Sequence, residues 1–512
     1  MMAQKTGAGL ITKVIATVAP RWAAQRMASR LAISKLEELM LEQRDYYGAG
    51  RGRGADGWRA TNASADSEIA KGGPVLRARM RDLVRNNPIA AAAVQVLVSS
   101  LVGAGIRPRA ASSDPALNRW VDTLWADWSA HADFDGHTDF HGLTALAARQ
   151  MVEGGEALAL QRLGGKAQGR RVPLRIQLRE ADHLDDAKMQ SVGNRRIVQG
   201  IEYDADGRRS AYWLYPDHPG DILRGVGNRM ESVRVPADQV IHMFERQRLQ
   251  NRGVPWGAPV IRSLREIDDW QVAELARKKT EACLVGMLLN ADDETGSVAP
   301  VVTRDDGTKV EQFEPGMIAY AKGATDIKFN QPAGSGGVYE WHRVQLHIIA
   351  SGFRVPYALL TGDLSQANFS SSRVGLNEYR RMIDMMQWQV LIPMFCQPIW
   401  DWFIAAANLS GAINTPRVAV EWAPPSFESV NPLQDAQADL LDVRSGFRTL
   451  PQMIAKRGYD PDANLVEQAA FLAKSDALGL VSDADPRRVS KGGQVQIADP
   501  TTPLGDGASP QN

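Results

Sequence analysis

The sequence predicts an α+β fold, because its periodicity changes twice along the chain. Between residues 77 and 129, apolar residues recur at helical spacing and the segments are bounded by helix caps. From Glu156 to Phe244, short apolar stretches with a period of two predict strands. Beyond residue 373 the helical period returns and persists. We therefore expect an α+β body in the first half and long helices in the second.

The bulk composition is that of a globular protein without a disulfide framework. The 512 residues are enough for about two to four packed units, and 44% of them are apolar. Lys+Arg and Asp+Glu both number 59, so the basic surplus typical of a protein that grips DNA statically is missing. The two cysteines, Cys283 and Cys396, fit a reducing compartment. Polar residues and prolines interrupt the most apolar stretch, residues 388–409, so we expect it to be buried rather than to span a membrane.

Caps mark the helices of the first half. A charged helix is predicted for residues 77–86. Asn87 and Pro88 restart a helix as N-cap and first-turn proline, and Gly103 ends it. A further helix is predicted for residues 116–129.

The strands follow, and Asp206-Gly207 between two of them is a hairpin signal. The predicted strands are residues 157–162, 174–178, 198–203, 211–215 and 240–244.

The segment 259–283 is predicted to be an amphipathic helix that starts at Pro259. At about 100° per residue its apolar residues fall within one arc, namely Val260, Ile261, Leu264, Ile267, Val272 and Leu275. The opposite arc carries Arg262, Arg265, Glu266, Asp269 and Arg277. This charged arc is either the solvent-facing side of a surface helix or the wall of a channel.

A small β insertion follows this helix. Residues 290–337 are predicted to form short strands and turns, and residues 338–350 are predicted to be helical again. Two helices therefore bracket the insertion.

Residues 352–373, GFRVPYALLTGDLSQANFSSSR, are predicted to be a loop of about twenty residues without helical or strand period. Residues 355–356 favour an extended path, and residues 361–363 favour a tight turn. Residues 368–372 offer several helix N-caps. Loops of this length inside a compact domain are usually functional, although the apolar side chains could equally pack in the core.

A long helix is predicted after the loop, with a kink at Pro393. Its apolar stripe is Leu376, Tyr379, Ile383, Met386 and Val390, and after the kink the stripe shifts to Phe395, Ile399 and Trp402. Residues 418–422 are predicted to be a strand that returns to the body, and residues 432–478 to be mostly helical. The remaining residues have the composition of a disordered tail.

Ordered motifs between about Trp58 and about Pro432 carry a family resemblance. In chain order they are LVRNNPIAAAAVQVLVSSLVGAGIRP at 83–108, RGVPW at 252–256, and the loop with PY at 356–357, LTGD at 360–363 and NFSSSR at 368–373. Together they resemble the lambda-type portal proteins of tailed phages. The first is similar to that family's N-terminal helix pair, the second to the start of its stem, and the third to its tunnel loop. Each motif alone is modestly specific, whereas their order is strongly specific.

The resemblance implies a portal fold: an α+β wing, a helical stem, a small β-rich clip, a tunnel loop, a long kinked helix and an α-helical crown. The implied segments are an N-terminal arm (1–57), the wing (58–258), stem helices (259–283 and 338–352), the clip (284–337), the tunnel loop (353–372), the kinked helix and wing return (373–431), the crown (432–480) and a tail (481–512).

It also implies a function. About twelve copies would form a ring at one capsid vertex, through which double-stranded DNA passes without sequence-specific contacts. Terminase and the head-completion (adaptor) proteins would dock on the clip, and the major capsid protein would surround the ring. The protein would reside in the virion, and in the host cytoplasm during assembly. No membrane partner, cofactor, metal or catalytic residue is expected.

Three groups of site residues follow from the resemblance. The tunnel loop would present to the DNA channel Tyr357, Leu360, Thr361, Gly362, Asp363, Leu364, Ser365 and Gln366. The polar face of the stem would be Arg262, Arg265, Glu266, Asp269 and Arg277, and the subunit interface of the stem Ile261, Leu264, Val272 and Leu275. A belt of well-formed phosphate contacts would anchor DNA, so a conduit should balance its charges.

A His/Asp-rich segment supports the enzymatic alternative. It contains His131, Asp133, Asp135, His137, Asp139 and His141. His137 and His141 would share a face if one helix ran through both. Thr138 or Asp139, however, is a plausible N-cap for a helix near Phe140, which would leave His137 outside it. A metal-dependent nuclease or hydrolase that uses this segment is one alternative to the portal function. A minor head–tail structural protein is the other.

Overall fold

The computed structural model describes most of the chain from residue 62 onward. The described residues are 62–164, 171–221, 231–282, 337–365, 369–425, 427, 432–459, 461–480 and 485, with five short strands between 286 and 329. The predicted N-terminal arm and all but one residue of the predicted tail lie outside this set.

Helices form most of the described chain. They are α1 (Ala65–Asn86), α2 (Pro88–Val102), α3 (Pro115–Ser129), α4 (Phe140–Gly154), α5 (Ile261–Ala282), α6 (Val338–Phe353), α7 (Tyr357–Thr361), α8 (Phe369–Met386), α9 (Gln397–Leu409), α10 (Pro432–Arg444), α11 (Leu450–Lys456) and α12 (Pro461–Ala477). A π-helical segment, Gln387–Cys396, joins α8 to α9.

The predicted caps are confirmed. The Asn87 side chain accepts hydrogen bonds from the amides of Ile89 and Ala90, and Gly103 ends α2 with a positive φ of 49°. Asp139 caps α4 by accepting from the Gly142 amide at 2.7 Å. The charged helix predicted for residues 77–86 is longer, because Ser64 caps it at Ala65.

Strands form several small sheets. They are β1 (Arg107–Ala110), β2 (Glu156–Leu163), β3 (Leu174–Glu180), β4 (Gln190–Val192), β5 (Arg195–Val198), β6 (Ile201–Tyr203), β7 (Arg209–Leu214), β8 (Val233–Pro236), β9 (Val240–Phe244), β10 (Gly286–Leu289), β11 (Val301–Thr303), β12 (Lys309–Glu311), β13 (Ile318–Ala319), β14 (Asp326–Phe329) and β15 (Val420–Ala423). The sheet orders are β3-β2-β9, β4-β5-β6-β7-β8, β1-β15, β13-β10-β14 and β11-β12. The mixed α and β architecture expected from the sequence is confirmed.

The strand predicted for residues 198–203 is two strands. Gln199 and Gly200 have φ values of 51° and 78°, so the chain turns between β5 and β6, which pair antiparallel. A Cβ on Gly200 would lie 2.7 Å from the Asp185 carbonyl oxygen. The Asp206-Gly207 hairpin between β6 and β7 is confirmed, and Gly207 has a φ of 77°.

An aromatic cluster lies at the centre of the body. Trp125 stands 4.8–5.2 Å from the rings of Trp128, Phe140, Phe403 and Trp400. Edge-on and tilted arrangements at these distances are favourable for aromatic pairs. Helices α3, α4 and α9 are thereby packed into one core.

The long helix after the loop contains Pro393 inside a π-helical stretch. Proline has no N–H to donate to the preceding turn, and a π-helical stretch interrupts the regular α-helical hydrogen-bond ladder. The kink at Pro393 stays a prediction. The change of phase buries Phe395 and Ile399, as expected. Residues 373–409 are long and apolar enough to cross a membrane, but 61% of their most apolar window is buried inside the molecule, as in a core helix.

Candidate functional site

Helices α5 and α6 form an antiparallel hairpin, here called the stem hairpin (residues 261–282 and 338–353). Near its base a Cβ on Gly352 would lie 2.1 Å from Val260, so the close approach requires glycine. Farther out, the rings of Trp270 and Trp341 are 4.4 Å apart. α5 therefore ends, and α6 begins, at the same end of the hairpin; the assignment of the hairpin as a stem stays a prediction.

Beside Trp341, the Gln271 side chain donates to Nε2 of His342 at 2.9 Å. Burial lowers the pKa of His342, which favours the neutral imidazole that can accept this bond.

The RGVPW motif anchors the stem hairpin to the body. Arg252 is buried and pairs through its guanidinium with both Glu156, at the start of β2, and Asp186. The Gly253 amide donates to Glu156 Oε2 at 2.9 Å, and a Cβ on Gly253 would lie 2.0 Å from the Gly155 carbonyl oxygen. Trp256 is buried just before α5. The motif residues are thus required by packing and ion pairing.

The buried ion pair controls the protonation of its neighbours. Burial alone would raise the pKa of Glu156, but Arg252 and the hydrogen bond from His242 hold it well below its usual range. Burial lowers the pKa of His242, which favours the neutral imidazole, and its Nε2 lies 2.9 Å from Glu156 Oε2, within hydrogen-bond distance. Arg77 adds a second cation, 3.5 Å from Glu156. Sequence reasoning missed this cluster; the signal was an acidic residue at the start of an otherwise apolar strand.

The apolar arc of α5 has two parts. Ile261 and Leu264 are buried in the core of the single chain, Leu264 with 0% exposure. A side chain that is fully covered by its own chain cannot contact a neighbour, so the interface assignment of these two residues is corrected to a core role. Val272 is 68% exposed and Leu275 56% exposed. For these two the interface assignment stays a prediction.

The polar arc of α5 is locally balanced. Arg262 pairs with Glu266 at 3.4 Å and Arg265 with Asp269 at 3.0 Å, both one turn apart and exposed. Arg277 pairs with Glu274. Exposed pairs of this kind contribute little to stability. Whether this arc faces a channel stays a prediction.

The predicted tunnel loop is partly helical, which corrects the expectation of a structureless segment. Residues 357–361 form α7, and α8 already begins at Phe369. Pro356, with a φ of −56° and a ψ of 136°, follows the predicted extended path, and Gly362, with a φ of 71°, ends α7 in the predicted turn. The helical turn forms because Leu360 is buried against the core.

The predicted channel residues therefore fall into a buried and an exposed group. Leu360 is corrected to a core residue, because a buried side chain cannot line a channel. Leu364 is 67% exposed, and Gly362 and Ser365 are also exposed. Gln366 lies outside the described residues.

A set of contacts holds the turn 361–365 to the stem hairpin. The Tyr357 ring stacks on His347 of α6 at 4.0 Å, and its hydroxyl donates to Asp363 Oδ2 at 3.1 Å. Burial and the carboxylate raise the pKa of Tyr357, so its hydroxyl stays protonated. Asp363 Oδ1 accepts from the Ser365 amide at 3.0 Å. Tyr357 and Thr361, both predicted as channel residues, thus have defined structural contacts, since Thr361 also donates to the Tyr357 carbonyl.

Two carboxylates of the His/Asp-rich segment accept hydrogen bonds from the nearby backbone. Asp133 accepts from the amides of Asp135, His137 and Thr138, and Asp139 caps α4, which leaves His137 outside the helix as expected. His141 packs against Gly105, and burial lowers its pKa. Among the residues that the structure describes, Glu180, Asp182 and His218 bring possible ligand atoms within 4.8 Å of one another, and none of them belongs to this segment.

That acidic group already has a cation. The guanidinium of Arg81 lies 2.7 Å from a carboxylate oxygen of Glu180 and 2.7 Å from one of Asp182. An arginine between two carboxylates supplies the charge that a bound metal would supply.

Comparison with known sequences gives one family. The sequence model of the phage portal protein, lambda family, matches residues 51–387, more than half of the chain. The protein described as "Probable portal protein" of Halomonas phage phiHAP-1 is 26% identical over 303 residues, which span 56% of this chain and 57% of that protein. The "Portal protein" of Escherichia phage N15 is 23% identical over 499 residues, which span 86% of this chain and 92% of that protein.

The comparison with solved structures matches chains of gene transfer agent particles. One is described as "Virion of native gene transfer agent (GTA) particle"; it is 15% identical, with a TM-score of 0.40, and covers 79% of this chain and 96% of that one. Another, "Neck of empty GTA particle computed with C6 symmetry", is 14% identical with a TM-score of 0.41 over 79% of this chain and 96% of that one.

Proposed function

This chain belongs to the lambda family of phage portal proteins, and on that premise we propose that it is the subunit of a portal vertex. Copies of the chain close into a ring of about twelve around an axial channel. The ring conducts double-stranded DNA into the capsid during packaging and out of it during ejection. Its role is structural rather than catalytic.

The observation that carries this proposal is the exposed outer half of the stem hairpin. Beyond its buried base the hairpin presents large apolar side chains to solvent, namely Val272, Leu275, Tyr339 and Val344. Exposed apolar groups clustered on one element are typical of a protein–protein interface. In a ring, the outer half of each hairpin would pack against the next copy, and every copy would be covered in the same way.

The charged arc of the stem hairpin supports passage rather than capture of DNA. Its arginines are each paired with a carboxylate on the same helix, so a ring of these residues presents alternating rather than uniformly positive charge. Each unpaired cation that neutralised a phosphate would add close to one unit to the salt dependence of binding and would hold the duplex in place. Balanced pairs let DNA move, and a symmetric ring cannot read bases.

The remaining partners follow from the segment that the hairpin carries. Residues 284–337 would project from the end of the hairpin as a clip, where terminase docks during packaging and the head-completion proteins dock afterwards. The exposed turn 362–365 would extend toward the channel as the tunnel loop. The major capsid protein would surround the ring, which places the chain in the virion.

A pair of matched substitutions on α5 tests the proposal. Leu275→Asp places a charge on the exposed apolar face, so the chain should stay folded but fail to form rings. Ala273→Asp introduces the same charge about 160° around the same helix, at another exposed position, and should still assemble. Native mass spectrometry measures the assembly, and circular dichroism checks the fold. Normal rings from Leu275→Asp would show that the outer hairpin is not the subunit interface.

A further inference from the structure

Arg354 lies at the point where the chain reverses direction between α6 and α7. The ring of Tyr357 in α7 stacks on the ring of His347 in α6 at 4.0 Å, so α7 is folded back against the stem hairpin. The reversal takes place within residues 354–356, which separate the two helices. The conformation of these three residues therefore decides where α7 and the turn 361–365 lie.

The backbone of Arg354 is left-handed, with a φ of 61° and a ψ of 29°. Its amide donates to the carbonyl of Ser351 at 3.1 Å, and the amide of Val355 donates to the carbonyl of Ala350 at 3.0 Å. This pair of bonds is the Schellman motif, in which the left-handed position is usually glycine because a Cβ is unfavourable there. Among the residues that the structure describes, Gln199 is the one other non-glycine residue with a positive φ.

The side chain of Arg354 explains why an arginine occupies this position. Its two terminal nitrogens donate to the two carboxylate oxygens of Glu245 at 2.7 and 3.2 Å, and its guanidinium carbon lies 5.3 Å from the ring centre of Trp256. Glu245 directly follows β9, and Trp256 precedes α5. One side chain thus joins the reversal to the sheet and to the base of the stem hairpin.

Without these contacts, the backbone at residue 354 would have a more favourable alternative. The right-handed helical conformation is preferred by residues with a Cβ, and it would lengthen α6 by one residue. The helix could not continue further, because Pro356 disfavours the helical conformation at Val355. The chain would then leave α6 in another direction, and Tyr357 would no longer stack on His347.

We propose that Arg354 is a latch: its ion pair with Glu245 holds the reversal in the left-handed conformation and so keeps α7 and the turn 361–365 folded against the stem hairpin. Release of the pair lets residue 354 become helical and moves the turn away. Release also takes Leu360 out of the core, so the released state is a minor one. The latch is a property of the single chain, whereas a channel-facing role of the turn rests on the proposed function.

Two substitutions of Arg354 separate its side chain from its backbone. Arg354→Ala removes both side-chain contacts and disfavours the left-handed conformation, whereas Arg354→Gly removes the same contacts but leaves that conformation accessible. Hydrogen exchange of residues 355–365, followed by mass spectrometry in the full chain, reports how often α7 opens. The amides of Leu360 and Gly362 donate to carbonyls at the start of this segment, at 3.1 and 2.9 Å. Residues 140–154 of α4 serve as a control in the core.

Exchange over residues 355–365 should be about tenfold faster in Arg354→Ala than in the wild-type chain, and the increase should be smaller in Arg354→Gly. Exchange over residues 140–154 should not change in either variant. Wild-type protection in Arg354→Ala would overturn the proposal, and so would equal increases in the two variants, because the left-handed backbone would then not matter. Equally faster exchange over residues 140–154 would show a loss of the whole fold and contradict a local latch.

Reversal of the two charges tests the ion pair itself. Arg354→Glu alone places two carboxylates together and should accelerate exchange over residues 355–365 at least as much as Arg354→Ala. Adding Glu245→Arg to the same chain restores opposite charges and should recover most of the protection. No recovery would show that the ion pair does not hold the reversal.

Ring formation is measured separately by mass. A wild-type chain that forms no ring contradicts the proposed function and leaves the latch standing. Normal rings together with unchanged exchange in every variant contradict the latch and leave the proposed function standing.

Discussion

Apolar and charged side chains are buried in the body around α1–α4, whereas many of them are exposed in the outer elements of the chain. In the body, Leu264 and the aromatic cluster around Trp125 are covered by their own chain, and even the ion pair of Arg252 with Glu156 is buried. In the outer half of the stem hairpin and in α10–α12, apolar side chains face water, and the ion pair of Asp442 with Arg448 is exposed. The body therefore has a core of its own, whereas the outer elements expose apolar side chains, and for those of the stem hairpin we propose contacts with neighbouring copies.

Removing Arg252 should have the largest effect on the body. Arg252→Met would remove the closest cation from the buried Glu156 and leave only Arg77, 3.5 Å away, so we expect a loss of up to about 3–5 kcal/mol in the free energy of unfolding. Arg265→Met, which breaks the exposed pair with Asp269, should cost about 0–1 kcal/mol. Urea denaturation of the monomeric chain measures both. Equal losses would mean that the ion pair of Arg252 is not part of the folded core.

Two leucines of α5 allow a buried and an exposed position to be compared on one helix. Leu264→Ala should destabilise the monomer by about 2–5 kcal/mol, because it opens a cavity in the core. Leu275→Ala should change the stability of the monomer by less than about 0.5 kcal/mol, since its side chain is exposed, while it weakens ring assembly. Denaturation curves and native mass spectra separate the two effects. A stable Leu264→Ala monomer would contradict the division of α5.

Buried histidines should give the body a pH dependence. Burial, together with Arg179 and His218, lowers the pKa of His183 to about 4. As the pH is lowered, the unfolded chain therefore binds a proton near pH 6.5, whereas the native chain does not. The contribution of His183 to the free energy of unfolding is fully present above that pH. As pH falls from 6.5 to about 4, protonation of His183 in the unfolded chain should lower the free energy of unfolding by up to about 1.4 kcal/mol per pH unit.

His183→Gln should flatten this pH dependence, because a glutamine side chain does not titrate. Its side-chain oxygen can still accept the hydrogen bond that Arg179 donates to the imidazole, so the local contact is kept. Unfolding free energies at pH 7 and pH 5 measure the slope. A slope that is the same in the variant would show that His183 is not protected from protonation.

The smallest effect is expected at the turn after α7. Tyr357→Phe removes the hydroxyl that donates to Asp363 but keeps the ring on His347. The loss should be about 0.5–1.5 kcal/mol, with faster hydrogen exchange at the Ser365 amide, which Asp363 holds. Unchanged exchange at this amide would show that Tyr357 does not order the turn.

Local signals in the sequence predicted the secondary-structure elements well, but they did not predict how those elements pack. Caps such as Asn87 and Asp139 act on neighbouring amides, so the residue type alone locates the helix end. The helix α7 was missed because it forms only when Leu360 packs on a distant element. The division of α5 was missed for the same reason, since one continuous apolar arc contacts the body at Leu264 and solvent at Leu275. The ion pair of Arg252 joins residues that are far apart in the chain.

The most direct test of the account is electron microscopy of particles assembled from the wild-type chain. The account predicts a closed ring of about twelve copies with an axial channel and the stem hairpins packed side by side around it. A chain that stays monomeric under every assembly condition, or that forms an open or two-fold particle without a channel, would contradict it.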